Sequence, residues 1–181
     1  MKKTFRFSGT GGQGLITAGI ILAEAGLLDG QNAVQSQSYG PEARGGSSKA
    51  EVILADEPIH FARVTSPDTL LVMSQEAADK FARDCRPKSL VITDSLFVER
   101  VDANGARRVD LPITHTASES CGKTLFANIV ALGAVVGLTR CVSLEALKKA
   151  VLDRVPKGTE AANEKALEAG YALAERARNG A

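Results

Sequence analysis

Two short stretches carry residue types and spacings that could do chemistry. The first, "SGTGGQGLITAG" (8–19), sets Gly9, Gly11 and Gly14 in a G-x-G-x-x-G pattern after an apolar-polar alternation and before a helical run. Glycines there let backbone amides close on an anion, and a helix N-terminus adds partial positive charge. The second, "SQSYGPEARGG" (36–46), puts the guanidinium of Arg44 beside Gly45 and Gly46. A planar fork on a backbone that folds closely suits an anionic group. Loops after neighbouring strands of an α/β sheet can converge at one edge. The two stretches would then share a surface made of Gly9, Thr10, Gly11, Gly12, Gln13 and Gly14 with Tyr39, Gly40, Arg44, Gly45 and Gly46. That surface holds no evident nucleophile, base or metal cluster.

Each stretch has a plainer reading. A dinucleotide site needs an Asp or Glu about 20 residues past the glycines, at the end of the second strand. The chain has "AVQSQS" there, and Asp29 comes before the strand. No Gly-Lys-Ser/Thr follows the glycines, so this is not a Walker A loop. A tight strand-to-helix turn, a phosphate or partner surface, and an NAD or FAD site in a free-standing nucleotide-binding protein stay open, the missing acid weighing against the last. The second stretch could be a solvated turn with an exposed Glu42–Arg44 pair, worth ~0–1 kcal/mol.

Other chemical groups stand alone. His60 and His115 lack a carboxylate or Cys pattern and read as surface or structural residues. Asp94-Ser95 reads as a turn. Cys85, Cys121 and Cys141 fit no zinc or iron–sulfur spacing and read as idle thiols of a reducing cytosol.

The elements that must position these loops follow from periodicity. Strands are expected at 3–9, 30–38, 48–56, 68–74, 89–95 and 107–114. Helices are expected at 14–28, at 75–85 capped by Ser74, at 144–155 capped by Ser143, and at 158–179. "TASE" (116–119) has capping-box form and would start a helix leading into 122–138. This alternation predicts one domain, 1–181, of the three-layer α/β/α sandwich class with a mixed, mostly parallel sheet. The link after the third strand suggests antiparallel pairing of strands three and four.

Composition bounds the partners. With 22 basic and 21 acidic residues in 181, no basic excess points to nucleic acid. Aromatics at 4% and the absence of Trp argue against a base-stacking platform. The longest apolar run, 125–138, falls short of the ~20 residues of a membrane span and contains Asn128. No signal peptide is visible, so a cytoplasmic protein off the membrane is expected.

Taken in order, "GTGGQGLITAGIILAEAG", "SYGPEARGGSSKAEVIL" and "ANIVALGAVVGLTRCVSLEALKKAV" resemble the gamma subunit of 2-oxoacid:ferredoxin oxidoreductases, over residues 3 to 175. The likeness is to the 2-oxoglutarate type, also called 2-oxoglutarate synthase. A related family, the beta subunit of indolepyruvate:ferredoxin oxidoreductase, is the alternative, with a second motif more like "HGMAQRGG".

The resemblance implies an α/β/α domain that packs on alpha, beta and delta subunits and helps hold coenzyme A. It places thiamine diphosphate and iron–sulfur clusters in the partner subunits, and ferredoxin as acceptor of the complex. It carries a coenzyme A role onto the two glycine-rich motifs named above. Fused pyruvate enzymes resemble the second motif with lysines in place of Glu42 and Ala43, which leaves those two outside the implied phosphate contacts. This chain has no G-D-G…N thiamine motif and no Cys-x-x-Cys motif, so it is not expected to catalyse alone. An isolated gamma subunit would expose apolar surface meant for partners and could homodimerise through it.

Overall fold

The alternation in "KKTFRFSGT" sets Phe5 and Phe7 on one face of a strand and Arg6 and Ser8 on the other. All four are buried, so this strand lies inside the sheet. The structure is a computed structural model that describes residues 1–38 and 47–180. Its strands are β1 (Lys2–Thr10), β2 (Asn32–Ser38), β3 (Ser47–Ala55), β4 (Thr69–Val72), β5 (Leu90–Asp94) and β6 (Arg107–Leu111). They form one sheet in the order β2-β3-β1-β4-β5-β6. Ladders β1–β4, β4–β5 and β5–β6 are parallel, and β3 is antiparallel to both β1 and β2. The expected mixed, mostly parallel sheet is therefore found.

The antiparallel pairing is not where the sequence suggested. β3 does not pair with β4; β1 lies between them. β3 ends with Ala55 opposite Lys2, and β4 begins with Thr69 opposite Phe5. Both junctions are at the start of β1, so the link between them passes that end and adds β4 to the free side. Arg6 holds the link, donating from Nη2 to the Val64 carbonyl at 2.8 Å.

The helices are α1 (Leu15–Leu28), α2 (Gln75–Phe81), α3 (Ile113–Cys121), α4 (Ala127–Thr139), α5 (Leu144–Arg154) and α6 (Glu160–Asn179). Three layers form, unequal in depth. On one face Phe5, Phe7, Val52, Leu54, Leu71 and Ile92 join a large core with α1, α3, α4, α5 and α6. Helix α4 is apolar on every side because it is covered on every side. Its cover is α6. A Cβ on Gly133 would stand 2.3 Å from the Leu167 carbonyl oxygen, and one on Gly170 would stand 1.9 Å from that of Val130. The opposite face has a smaller core of Leu70, Val72 and Val91 under Ala77, Ala78 and Phe81 of α2.

Two helix starts obey their local signals. Ser74 Oγ accepts from Ala77 N at 3.2 Å, and Ser143 Oγ from Ala146 N at 3.1 Å. A third does not. α3 begins at Ile113 rather than at "TASE", and Thr116 lies inside it, its amide bonded to the Pro112 carbonyl at 2.8 Å. The start is fixed by Asp94, a buried carboxylate at the end of β5 that accepts from Thr114 N at 3.2 Å. β6 accordingly stops at Leu111, and α3 ends at Gly122 instead of running into α4.

Candidate functional site

The sheet brings three chain ends together. Thr10, the last residue of β1, pairs with Ser47, the first of β3, and Ser38, the last of β2, pairs with Lys49. Strands β1 and β2 are separated by β3, yet the antiparallel direction of β3 returns the chain to the same edge. The anchors of segment 39–46 thus lie beside the glycine loop. Tyr39, Gly40, Arg44, Gly45 and Gly46 themselves fall outside the described residues. From β1 the chain leaves toward β2 and β3, and from β4 toward β5 and β6. The crevice at the carboxyl ends of β1 and β4 is the switch point where such sheets take ligands.

The glycine loop is held from both sides. Gln13 Oε1 accepts from Thr10 N at 2.7 Å, and its Nε2 donates to the Met73 carbonyl at 3.0 Å. The carboxamide fits because residue 9 is glycine: a Cβ there would meet Gln13 Oε1 at 2.1 Å. Gly14, the N-cap of α1, has φ 74°. Its carbonyl accepts from Asn128 Nδ2 at 3.3 Å, and Asn128 Oδ1 accepts from Ile129 N at 2.9 Å. Gln13 therefore ties the loop to the end of β4. Gly11 and Gly12 are the exposed part, with Thr10 half-buried beside them.

A cleft of about 430 Å³ opens next to this loop, lined among others by Gly12, Gln13, Met73, Phe97, Thr114 and Leu125. Leu96, Phe97 and Leu125 are exposed large apolar groups on its rim. Asp94 shapes it, since its carboxylate takes the amides of both Leu96 and Thr114 at 3.2 Å.

A charged cluster that the sequence did not reveal lies on the α2 side of β1 and β3. Arg6, 2% exposed, donates to Glu51 at 2.8 Å and to Asp84. Lys49 Nζ reaches the same Glu51 oxygen at 3.1 Å. The cations of Arg6, Lys49 and Lys80 all approach the ring of Phe81, at 5.5, 5.8 and 5.5 Å. Only the alternation of Arg6 with Phe5 and Phe7 hinted at it.

The remaining chemical groups gather no site around them among the described residues. His60 is exposed, and His115 pairs on the surface with Glu119 at 3.2 Å. Burial pushes the Cys85 thiol up to about 11 and raises those of Cys141 and Cys121. None is set up as a nucleophile at neutral pH.

A family model described as pyruvate ferredoxin/flavodoxin oxidoreductase matches residues 4–173. A 2-oxoglutarate synthase subunit KorC of Methanocaldococcus jannaschii is 48% identical over 177 residues, 96% of this chain and 95% of that one. The solved gamma subunit of a keto/oxoacid ferredoxin oxidoreductase from Geobacter sulfurreducens superposes with a TM-score of 0.90 at 46% identity, over 98% of each chain. A 2-oxoglutarate:ferredoxin oxidoreductase from Magnetococcus marinus, solved with 2-oxoglutarate, coenzyme A and succinyl-CoA, superposes at 0.88 with 25% identity. The overlap is 97% of this chain and 31% of that longer one.

Proposed function

Because this chain belongs to the pyruvate ferredoxin/flavodoxin oxidoreductase family, we propose that it is the gamma subunit of a 2-oxoacid:ferredoxin oxidoreductase complex that acts on 2-oxoglutarate and helps hold coenzyme A. The observation that carries this is the 48% identity, at nearly full length on both sides, to a 2-oxoglutarate synthase subunit. Thiamine diphosphate and iron–sulfur chemistry belong to the alpha, beta and delta partners, in the cytoplasm, with ferredoxin as acceptor. This chain's residues do not fit those groups, because its three thiols are spaced 36 and 20 residues apart and it carries no G-D-G…N motif.

Its residues do fit one part of coenzyme A binding. Exposed Gly11 and Gly12 leave backbone free to approach a ligand, and the cleft beside them accepts an apolar chain. Coenzyme A supplies the thiol that takes the acyl group. What this chain would contribute is position, holding the carrier at the sheet edge while the reacting centre stays in its partners.

A scaffold reading competes, because Gln13 and Asn128 engage polar groups of the glycine loop internally. Reconstituting the complex with and without this chain tests the proposal. Omission should abolish coenzyme A-dependent oxidation of 2-oxoglutarate, whereas alpha and beta subunits fully active alone would overturn it. Arg44→Ala should leave assembly intact and raise the KM for coenzyme A. Lost assembly instead would favour the scaffold.

A further inference from the structure

The glycine loop brings no charge of its own: residues 9–18 contain no Lys, Arg, Asp or Glu. Charge arrives from α2, which packs over β1 and reaches β3. Lys80 stands in the last turn of α2, where a cation is favoured by the helix dipole. The dipole does not explain the direction of its side chain. Helical side chains lean toward the N-terminus, and this one donates to Ser47 Oγ at 2.9 Å. Ser47 is the residue paired with Thr10. The ammonium group is therefore delivered beside the strand pair from which the glycine loop departs.

The local charge does not balance. Around Phe81 stand three cations, Arg6, Lys49 and Lys80, with two carboxylates, Glu51 and Asp84. Arg6 already directs all three of its nitrogens to Glu51, Asp84 and the Val64 carbonyl. Lys49 shares Glu51 with it. Lys80 has no carboxylate partner among the described residues, and two of its three donors remain after Ser47. Like charges grouped on one ring repel, and an anion beside them would lower that cost.

The geometry points to Lys49 and Lys80 as the cationic wall of an anion site at the glycine-loop edge, taking a phosphate group of coenzyme A. This rests on the coenzyme A reading above. Two lysines act as point charges, which suits the several equivalent oxygens of a phosphate. Ser47 and Lys49, two apart on β3, share one face of the strand, and Lys80 joins them through the Ser47 hydroxyl.

The test uses the reconstituted complex with Lys49→Gln, Lys80→Gln and the double variant. Glutamine keeps most of the apolar stem on Phe81 and removes the charge. The KM for coenzyme A should rise about tenfold per lysine, as loss of a charge-assisted contact predicts. The KM for pantetheine, a thiol without phosphates, should not move. Lys80→Arg should restore most of the affinity. A coenzyme A KM unchanged in the double variant overturns the site. So does an equal rise with pantetheine, which would mean distortion, or lost assembly with normal coenzyme A kinetics in what assembles, which would mean an acidic partner segment. If Arg44→Ala raises the KM while the lysine variants do not, only this site falls. If all of these variants leave it unchanged, the coenzyme A reading falls with it.

Discussion

The two faces of β1 are built to different rules. Phe5 and Phe7 look into a core shared with five helices, and Arg6 and Ser8 look out under a single short one. The first face packs mainly apolar side chains, so burial there stabilises in proportion to area. On the second, Arg6 and Glu51 are buried yet partnered, and no buried side-chain polar atom among the described residues is left unsatisfied. A fully partnered ionic cluster adds little net stability, but breaking it costs a good deal. The contrast separates two tasks: one face holds the domain together, and the other fixes where charge stands at the glycine-loop edge.

The largest effect is expected on the polar face. Arg6→Ala leaves Glu51 buried without its main partner and should cost about 3–5 kcal/mol by urea unfolding. Arg6→Met combined with Glu51→Leu should recover most of that loss. A near-neutral Arg6→Ala would mean that the polar face is not locked at all. On the apolar face, Gly170→Ala forces a Cβ into the backbone of Val130 and should cost about 3 kcal/mol, lowering Tm by roughly 6–12 °C.

Two smaller effects are expected under α2. Cys85 belongs to the thin core under α2, and burial lifts its thiol from 9.0 to about 11. Above 9.0 the unfolded chain ionises while the native thiol stays protonated. Stability should therefore fall by roughly 1.4 kcal/mol per pH unit until pH reaches the native value. Cys85→Ala should flatten that limb of the pH–stability curve. The smallest effect is Ser74→Ala, which removes the cap of α2 and should cost ~1 kcal/mol by thermal unfolding.

What the sequence made legible was local. The alternation in β1, the caps Ser74 and Ser143, and the burial of an all-apolar α4 each follow from neighbouring residues. The family resemblance read from three motifs agrees with the match over residues 4–173. What stayed hidden depends on residues far apart in the chain. β3 enters between β2 and β1 by pairing choices that no periodicity encodes. α3 starts where Asp94, 20 residues earlier, accepts its amide. Arg6 finds Glu51 and Asp84 at separations of 45 and 78, and Lys80 reaches Ser47 across 33. Gln13 was expected on the loop surface, and it lines the cleft there. Its bonds to its own loop and to the residue after β4 were not legible, because Met73 is 60 residues away.

The seam between α4 and α6 bears on how the chain is made. Helix α4 is buried on all sides, and the element that seals it, Glu160–Asn179, is translated after it, with α5 in between. During synthesis "ALGAVVG" waits uncovered while the next forty residues leave the ribosome, at ~5–20 residues per second a delay of several seconds. A nascent chain stalled inside α6 would therefore present an oily helix to chaperones and to its neighbours on the same message. Slow codons, if this gene has any, should be scarce between residues 140 and 179.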